Sequence, residues 1–85
     1  MNIVKQFIED NNLDFTDSGS SLNSNCVILA GYACVLGLEW SELIDFLEDV
    51  PIEDVDELNR VFNYARSHNY GAFWETEEAH KLYKF

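Results

Sequence analysis

From Asn25 to Gly37 the chain reads N-C-V-I-L-A-G-Y-A-C-V-L-G, a run with no charged residue and no polar face at helical spacing. A helix over about 25–36 that is apolar all round has to be enclosed by other elements. At this length it is too short to cross a bilayer. Val27, Ile28, Leu29, Val35 and Leu36 supply volume, whereas Ala30, Gly31, Ala33 and Cys34 let neighbouring backbones come close. Gly37 is placed to end the helix in the left-handed conformation, after which Leu38 turns the chain.

The flanking segments alternate apolar and polar positions with helical period. Asn2 is placed to cap a first helix running to about Asn11, with Val4, Phe7 and Ile8 on one face, Ile3 at its margin and Asn11-Asn12 as its stop. From Leu13 to Ser24 the Ser, Asp, Asn and Gly content predicts a loop, with Leu13, Phe15 and Leu22 turned inward. A third helix opens at Glu39, with Glu42 reaching back as its capping partner and Trp40, Leu43, Ile44 and Leu47 at the i, i+3, i+4, i+7 positions. Val50-Pro51-Ile52 breaks it. Asp54-Val55-Asp56-Glu57 reads as a capping box for a fourth helix to about His68, with Val55, Leu58, Phe62 and Ala65 inward and Val61 beside them.

Asn69 and Gly71 end that helix, and Tyr70 to Trp74 is an aromatic stretch expected as loop or a brief extended piece. Thr76 before Glu77 and Glu78, with Lys81 and Lys84 after them, has the charge order of a last short helix; a hairpin through Glu77-Glu78 is the competing arrangement. The fold expected is all-α, a compact bundle of four or five short helices around a buried central helix at about 25–36, with residues 1–85 as a single domain.

Composition sharpens this picture. At 85 residues and 47% hydrophobic there is room for one core, and six Phe, four Tyr and two Trp argue against disorder despite the charge. The C-terminal aromatics Tyr70, Phe73, Trp74, Tyr83 and Phe85 are expected in the core; any left beside the acidic surface would give a binding interface its apolar anchor. Cys26 and Cys34 fall in one predicted helix about 12 Å apart along its axis, too far for a disulfide. Gln6, Glu9 and Asp10 follow the N-terminus where a signal peptide would be apolar, so the expectation is a reducing, cytoplasmic setting with no transmembrane segment.

Charge carries the functional reading. Sixteen Asp and Glu stand against five Lys and Arg, a net charge of −11. Nucleic acid and anionic membranes are therefore excluded as direct partners, because both are bound by cations that neutralise phosphate. Nine acids, Glu39, Glu42, Asp45, Glu48, Asp49, Glu53, Asp54, Asp56 and Glu57, occur between positions 39 and 57 without a single base. The simplest account is a solvated face that keeps the protein soluble. Yet like charges at i, i+3 and i+4 cost about 0.2–0.5 kcal/mol per pair, so the unrelieved run points to a basic partner, a nucleic-acid-handling protein whose groove this surface occupies as a nucleic-acid mimic. In size, acidity and lack of catalytic motifs the chain resembles the phage and mobile-element proteins that disable restriction or CRISPR machinery by mimicking DNA. That resemblance implies an inhibitor. The alternative is a small structural or regulatory module with an apolar interface, for example a homodimer.

Other constellations are decided by their chemistry. Ala33, Gly37, Leu43 and Phe46 resemble the spacing of a helix-turn-helix, but the second helix presents Glu39, Glu42, Asp45, Glu48 and Asp49 where a DNA reader needs Lys and Arg. Asp14, Thr16, Ser18 and Gly19 follow the start of a calcium loop, which fails at Asn25, where the bidentate Glu belongs. Cys26 at the start of the central helix, with His68 or His80 as base, is the one arrangement for nucleophilic catalysis, and no signature accompanies it. The His, Cys and carboxylate residues lack metal-ligand spacing. No catalytic residue, metal or cofactor is assigned. The purified protein is expected to give a helical circular dichroism spectrum and to leave labelled duplex and single-stranded DNA unbound at physiological salt; a sheet spectrum or retained DNA would contradict this reading.

Overall fold

The computed structural model describes residues 2–69, 71–74 and 76–82. The fold is all-α: α1 is Ile3–Asp10, α2 Gly19–Leu36, α3 Trp40–Phe46, α4 Val55–Ser67, α5 Gly71–Trp74 and α6 Glu77–Leu82, with no strand among the described residues.

α1 forms as its sequence requires. The Asn2 carboxamide oxygen accepts from the Lys5 N–H at 2.9 Å, and its Nδ2 donates to the Phe46 carbonyl at 2.7 Å, tying the start of α1 to the end of α3. Val4, Phe7 and Ile8 are buried while Ile3 stays exposed. Asn12 ends the helix at φ 55°, with its own N–H on the Glu9 carbonyl and the Leu13 N–H on that of Ile8, a Schellman motif.

The central helix is longer than the 25–36 expected. Six further residues from Gly19 join it, so much of the segment anticipated as loop is helical. Ser, Asn and Gly are poor helix formers, but only by a few tenths to about 1 kcal/mol each. That deficit is offset because Leu22 sits four residues before Cys26 on the buried face. Asn25 also donates to the Asp14 carbonyl at 2.7 Å, and Asn23 to the Glu57 carboxylate at 3.1 Å, anchoring these turns to their neighbours. Farther along, Leu29, Ala30, Gly31, Tyr32 and Ala33 are all buried, so every face of α2 is covered at its middle.

Gly37, at φ 70°, closes α2, and α3 departs at 114° to it. Leu43 and Leu47 fill the angle, and the Trp40 ring lies tilted on Phe62 at 5.7 Å. α4 makes the most extensive packing on α2, through Leu58, Val61, Phe62 and Ala65. Val55, expected inward, is exposed: it is the first helical residue, and the buried stripe starts only at Leu58.

The aromatic stretch before Glu75 is a helical turn, α5, where a loop or extended piece was expected. Trp74 explains it. Its indole lies against the backbone of Gly31, in the space a β-carbon there would fill, and its edge meets Phe7, which is stacked on Tyr32 at 3.9 Å. The final segment is helical, and its hairpin alternative falls away: the Thr76 hydroxyl accepts from the Ala79 N–H at 3.3 Å, and Ala79 is fully buried. Tyr70, Tyr83, Lys84 and Phe85 lie outside the described residues, as do the side chains of Phe73 and His80.

An alanine at an open helical position would gain about 1 kcal/mol over glycine. At Gly31 the sign reverses: Gly31→Ala is expected to destabilise by about 1–3 kcal/mol, because its methyl and the Trp74 indole claim the same space. Trp74→Ala alone is expected to cost about 3–5 kcal/mol. In a urea-denaturation cycle the double variant should be no worse than Trp74→Ala alone; strict additivity would show that the two residues do not share that space.

Candidate functional site

The nine carboxylates are strung along a continuous ribbon formed by α3, the turns at 47–54 and the first turn of α4. Eight are exposed and Glu57 is half-buried. Their positions follow from local structure. Glu39 precedes α3, and the Glu42 carboxylate accepts from the Glu39 N–H at 3.0 Å. Asp45 lies one turn beyond Glu42, and both border an open depression with Asn2 and Phe46. Glu48 and Asp49 occupy the turn after α3. The Glu53 N–H donates to the Phe15 carbonyl at 2.8 Å, pinning the ribbon to the loop after α1. Asp54 caps α4 through the Glu57 N–H at 3.0 Å.

Glu57 does not return the bond that a full capping box requires. Its carboxylate is bound by Arg60, at 2.6 and 3.2 Å, and by Asn23. These hydrogen bonds, Arg60 first and Asn23 second, hold the Glu57 carboxyl below its ordinary value. At the other end of the ribbon Glu39 meets Arg66 at 3.0 Å, and the Arg66 guanidinium lies 5.6 Å over the Phe62 ring. Two of the nine acids are therefore paired with Arg from α4. The other seven, Glu42, Asp45, Glu48, Asp49, Glu53, Asp54 and Asp56, have no ion pair among the described residues.

Two acids that the sequence reading did not assign to the acidic surface stand beside this set. Glu9 and Asp14 line one depression together with Asp49. They are distant in sequence from 39–57, and the Phe15–Glu53 and Asn2–Phe46 hydrogen bonds tie the two segments together. Asp14 accepts from the Thr16 hydroxyl at 2.6 Å and the Thr16 N–H at 2.9 Å, bonds that lower its carboxyl below the ordinary value.

The thiol arrangement differs from the one weighed for catalysis. With α2 beginning at Gly19, Cys26 is two turns inside the helix, not at its N-terminus, and it is fully buried. Burial, and then the nearby Glu57 and Asp54 charges, push the Cys26 thiol up to about 11. His68 is stacked on Tyr64 at 3.8 Å, with its Nδ1 2.9 Å from the Tyr64 carbonyl. Burial raises the Cys34 thiol as well. Among the described residues no group of three or more His, Cys, Asp or Glu is gathered as a metal site, no polar side chain is buried, and no single helix is long and apolar enough to cross a membrane.

Compared with family models, with curated proteins and with solved structures, the chain shows no significant match.

The pH dependence follows from these shifts. Glu57 and Asp14, with folded-state values lowered, contribute stability that is present above their unfolded values and lost as pH falls through the folded ones. Cys26 and Tyr32, raised by burial, contribute stability that is present below their unfolded values and lost as pH rises, for Cys26 between 9.0 and about 11. Urea midpoints measured against pH should therefore fall on both sides. Glu57→Gln should flatten the acid limb and, by removing one of the charges that raise the Cys26 thiol, move the alkaline limb by a smaller amount; an unaltered acid limb would count against the Arg60–Glu57–Asn23 contact.

Proposed function

We propose that this is a non-enzymatic binding protein whose 39–57 surface occupies the basic groove of a nucleic-acid-handling protein, acting as an inhibitor that mimics nucleic acid. The observation that carries this reading is the seven exposed carboxylates with no ion pair among the described residues, held on a ribbon whose two ends are fixed by Arg66 and Arg60. Unpaired surface charge of one sign steers a partner of the other and is attracted to it in place of phosphate. Anti-restriction and anti-CRISPR proteins are the class of inhibitor this describes.

The apolar-interface alternative has less to support it. The large apolar side chains left exposed among the described residues are Ile3, Val55 and Tyr64. The two on α4 are about 13 Å apart along the axis and half a turn out of phase, so they form no common patch.

Glu42→Lys with Asp45→Lys tests the reading. Both positions are exposed, away from the buried Leu43, so the fold should survive. Binding to a partner recovered from nuclease-treated extract of the native host should weaken by about a hundredfold or more, since two attractions become repulsions. Wild-type affinity should fall as salt rises, and duplex DNA should compete with the protein for that partner. Unchanged affinity in the folded double variant, or a partner that binds duplex DNA and this protein together, would overturn the proposal.

A further inference from the structure

We infer that the depression between α1, the loop after it and the turn following α3 is a pocket for one long cationic side chain, lysine or arginine, of a basic protein partner. This rests on the proposed binding function and adds a specific anchor to it. The depression encloses about 180 Å³. Its apolar lining comes from Ile8 and Phe15, both buried, and from Val50 and Pro51. Around it stand three exposed carboxylates from three separate segments: Glu9 on α1, Asp14 in the loop and Asp49 in the turn. A lysine or arginine side chain has that same division, an apolar stem that gains by lying on hydrocarbon and a charged head that carries several donors.

The walls are fixed before any partner arrives. The Schellman motif at Asn12 sets where Leu13 leaves α1, the Thr16 bonds hold the Asp14 carboxylate, and the Glu53–Phe15 hydrogen bond joins the loop to the ribbon. An ordered pocket spares a partner the entropy of assembling it. Lys5 also lines the depression, half-buried, and makes no ion pair with the three acids. Its charge offsets part of theirs, so the site's affinity for an incoming cation is held below what three carboxylates alone would give. The arrangement differs from the rest of the acidic ribbon. Glu42 and Asp45 offer charge over an open surface, whereas this site combines charge with apolar contact, the combination that slows dissociation at the centre of an interface.

The probes are the blocked tripeptide Gly-Arg-Gly, its lysine counterpart and Gly-citrulline-Gly, which keeps the arginine shape without the charge. Titrated into the isotope-labelled full chain, the two cationic peptides are expected to move the amide resonances of Thr16 and Val50 saturably, and the citrulline peptide to move neither. Lys5→Gln should tighten the cationic peptides severalfold, and Glu9→Gln with Asp49→Asn should abolish their saturable shifts while the circular dichroism spectrum stays that of the parent. Shifts that spread without saturation over the 39–57 amides, or equal shifts with citrulline, would overturn the pocket. The wider reading is tested separately. If Glu42→Lys with Asp45→Lys destroys partner binding while Glu9→Gln with Asp49→Asn leaves it intact, the ribbon binds and the pocket is refuted as an anchor; loss of about tenfold in the latter variant is the expected result.

Discussion

The structure depends on one constraint: from Cys26 to Leu36, α2 has no polar face to show to water. Five consecutive buried residues, Leu29 to Ala33, require neighbours on every side, and a chain of 85 residues can supply them only as short elements wrapped around the axis. α4 covers one side with its Leu58, Phe62 and Ala65 stripe. α5 covers another, and it does so through Trp74 set on the bare backbone of Gly31. Four residues cannot hold a helical turn alone, since nucleation is unfavourable at that length. The turn persists because the indole is buried between Gly31 and Phe7, so a packing requirement of the central helix creates secondary structure at the end of the chain.

The same constraint sorts the charges. Because the described core holds no polar side chain, every described acid is outside it, and the few bases decide which acids are neutralised. Arg60 and Arg66 both belong to α4 and reach the two ends of the 39–57 ribbon. Both pairs lie at the surface, where solvent screening leaves an ion pair little net stabilisation, so they do not account for the stability of the fold. Between them the carboxylates remain uncompensated.

How much was legible in the sequence depended on whether the signal was local. Caps at Asn2 and Asp54, terminators at Asn12, Gly37 and Asn69, and the stripes of α1 and α4 are written in residues three or four apart, and the structure has them where the spacing places them except at Val55, exposed at the start of α4. Before Asn25 the Ser and Asn content favours a loop, but the Leu22-to-Cys26 interval continues the buried face of α2 toward its start, and packing prevails over composition there. α5 was missed because its cause, Gly31, lies some forty positions away. Likewise the carboxylates at Glu9 and Asp14 join Asp49 only through a tertiary contact, and no spacing rule could have linked them.

Two features of this surface limit what net charge alone can do. The molecule measures 31 × 26 × 25 Å, whereas charges in physiological salt are screened beyond about 8 Å. Acids on opposite sides therefore do not add at a contact, and a net charge of −11 describes only the far field, which guides encounter at low salt. At close range the operative quantity is the local set of carboxylates and the apolar area beside it. The corner between α2 and α3 makes the point: at 114° it falls in the range of DNA-reading helix pairs, yet with Glu42 and Asp45 outward it repels the phosphates such pairs attract. Geometry shared with nucleic-acid readers thus does not predict nucleic-acid binding. The sign of the side chains within one screening length decides it, and at this corner that sign is negative.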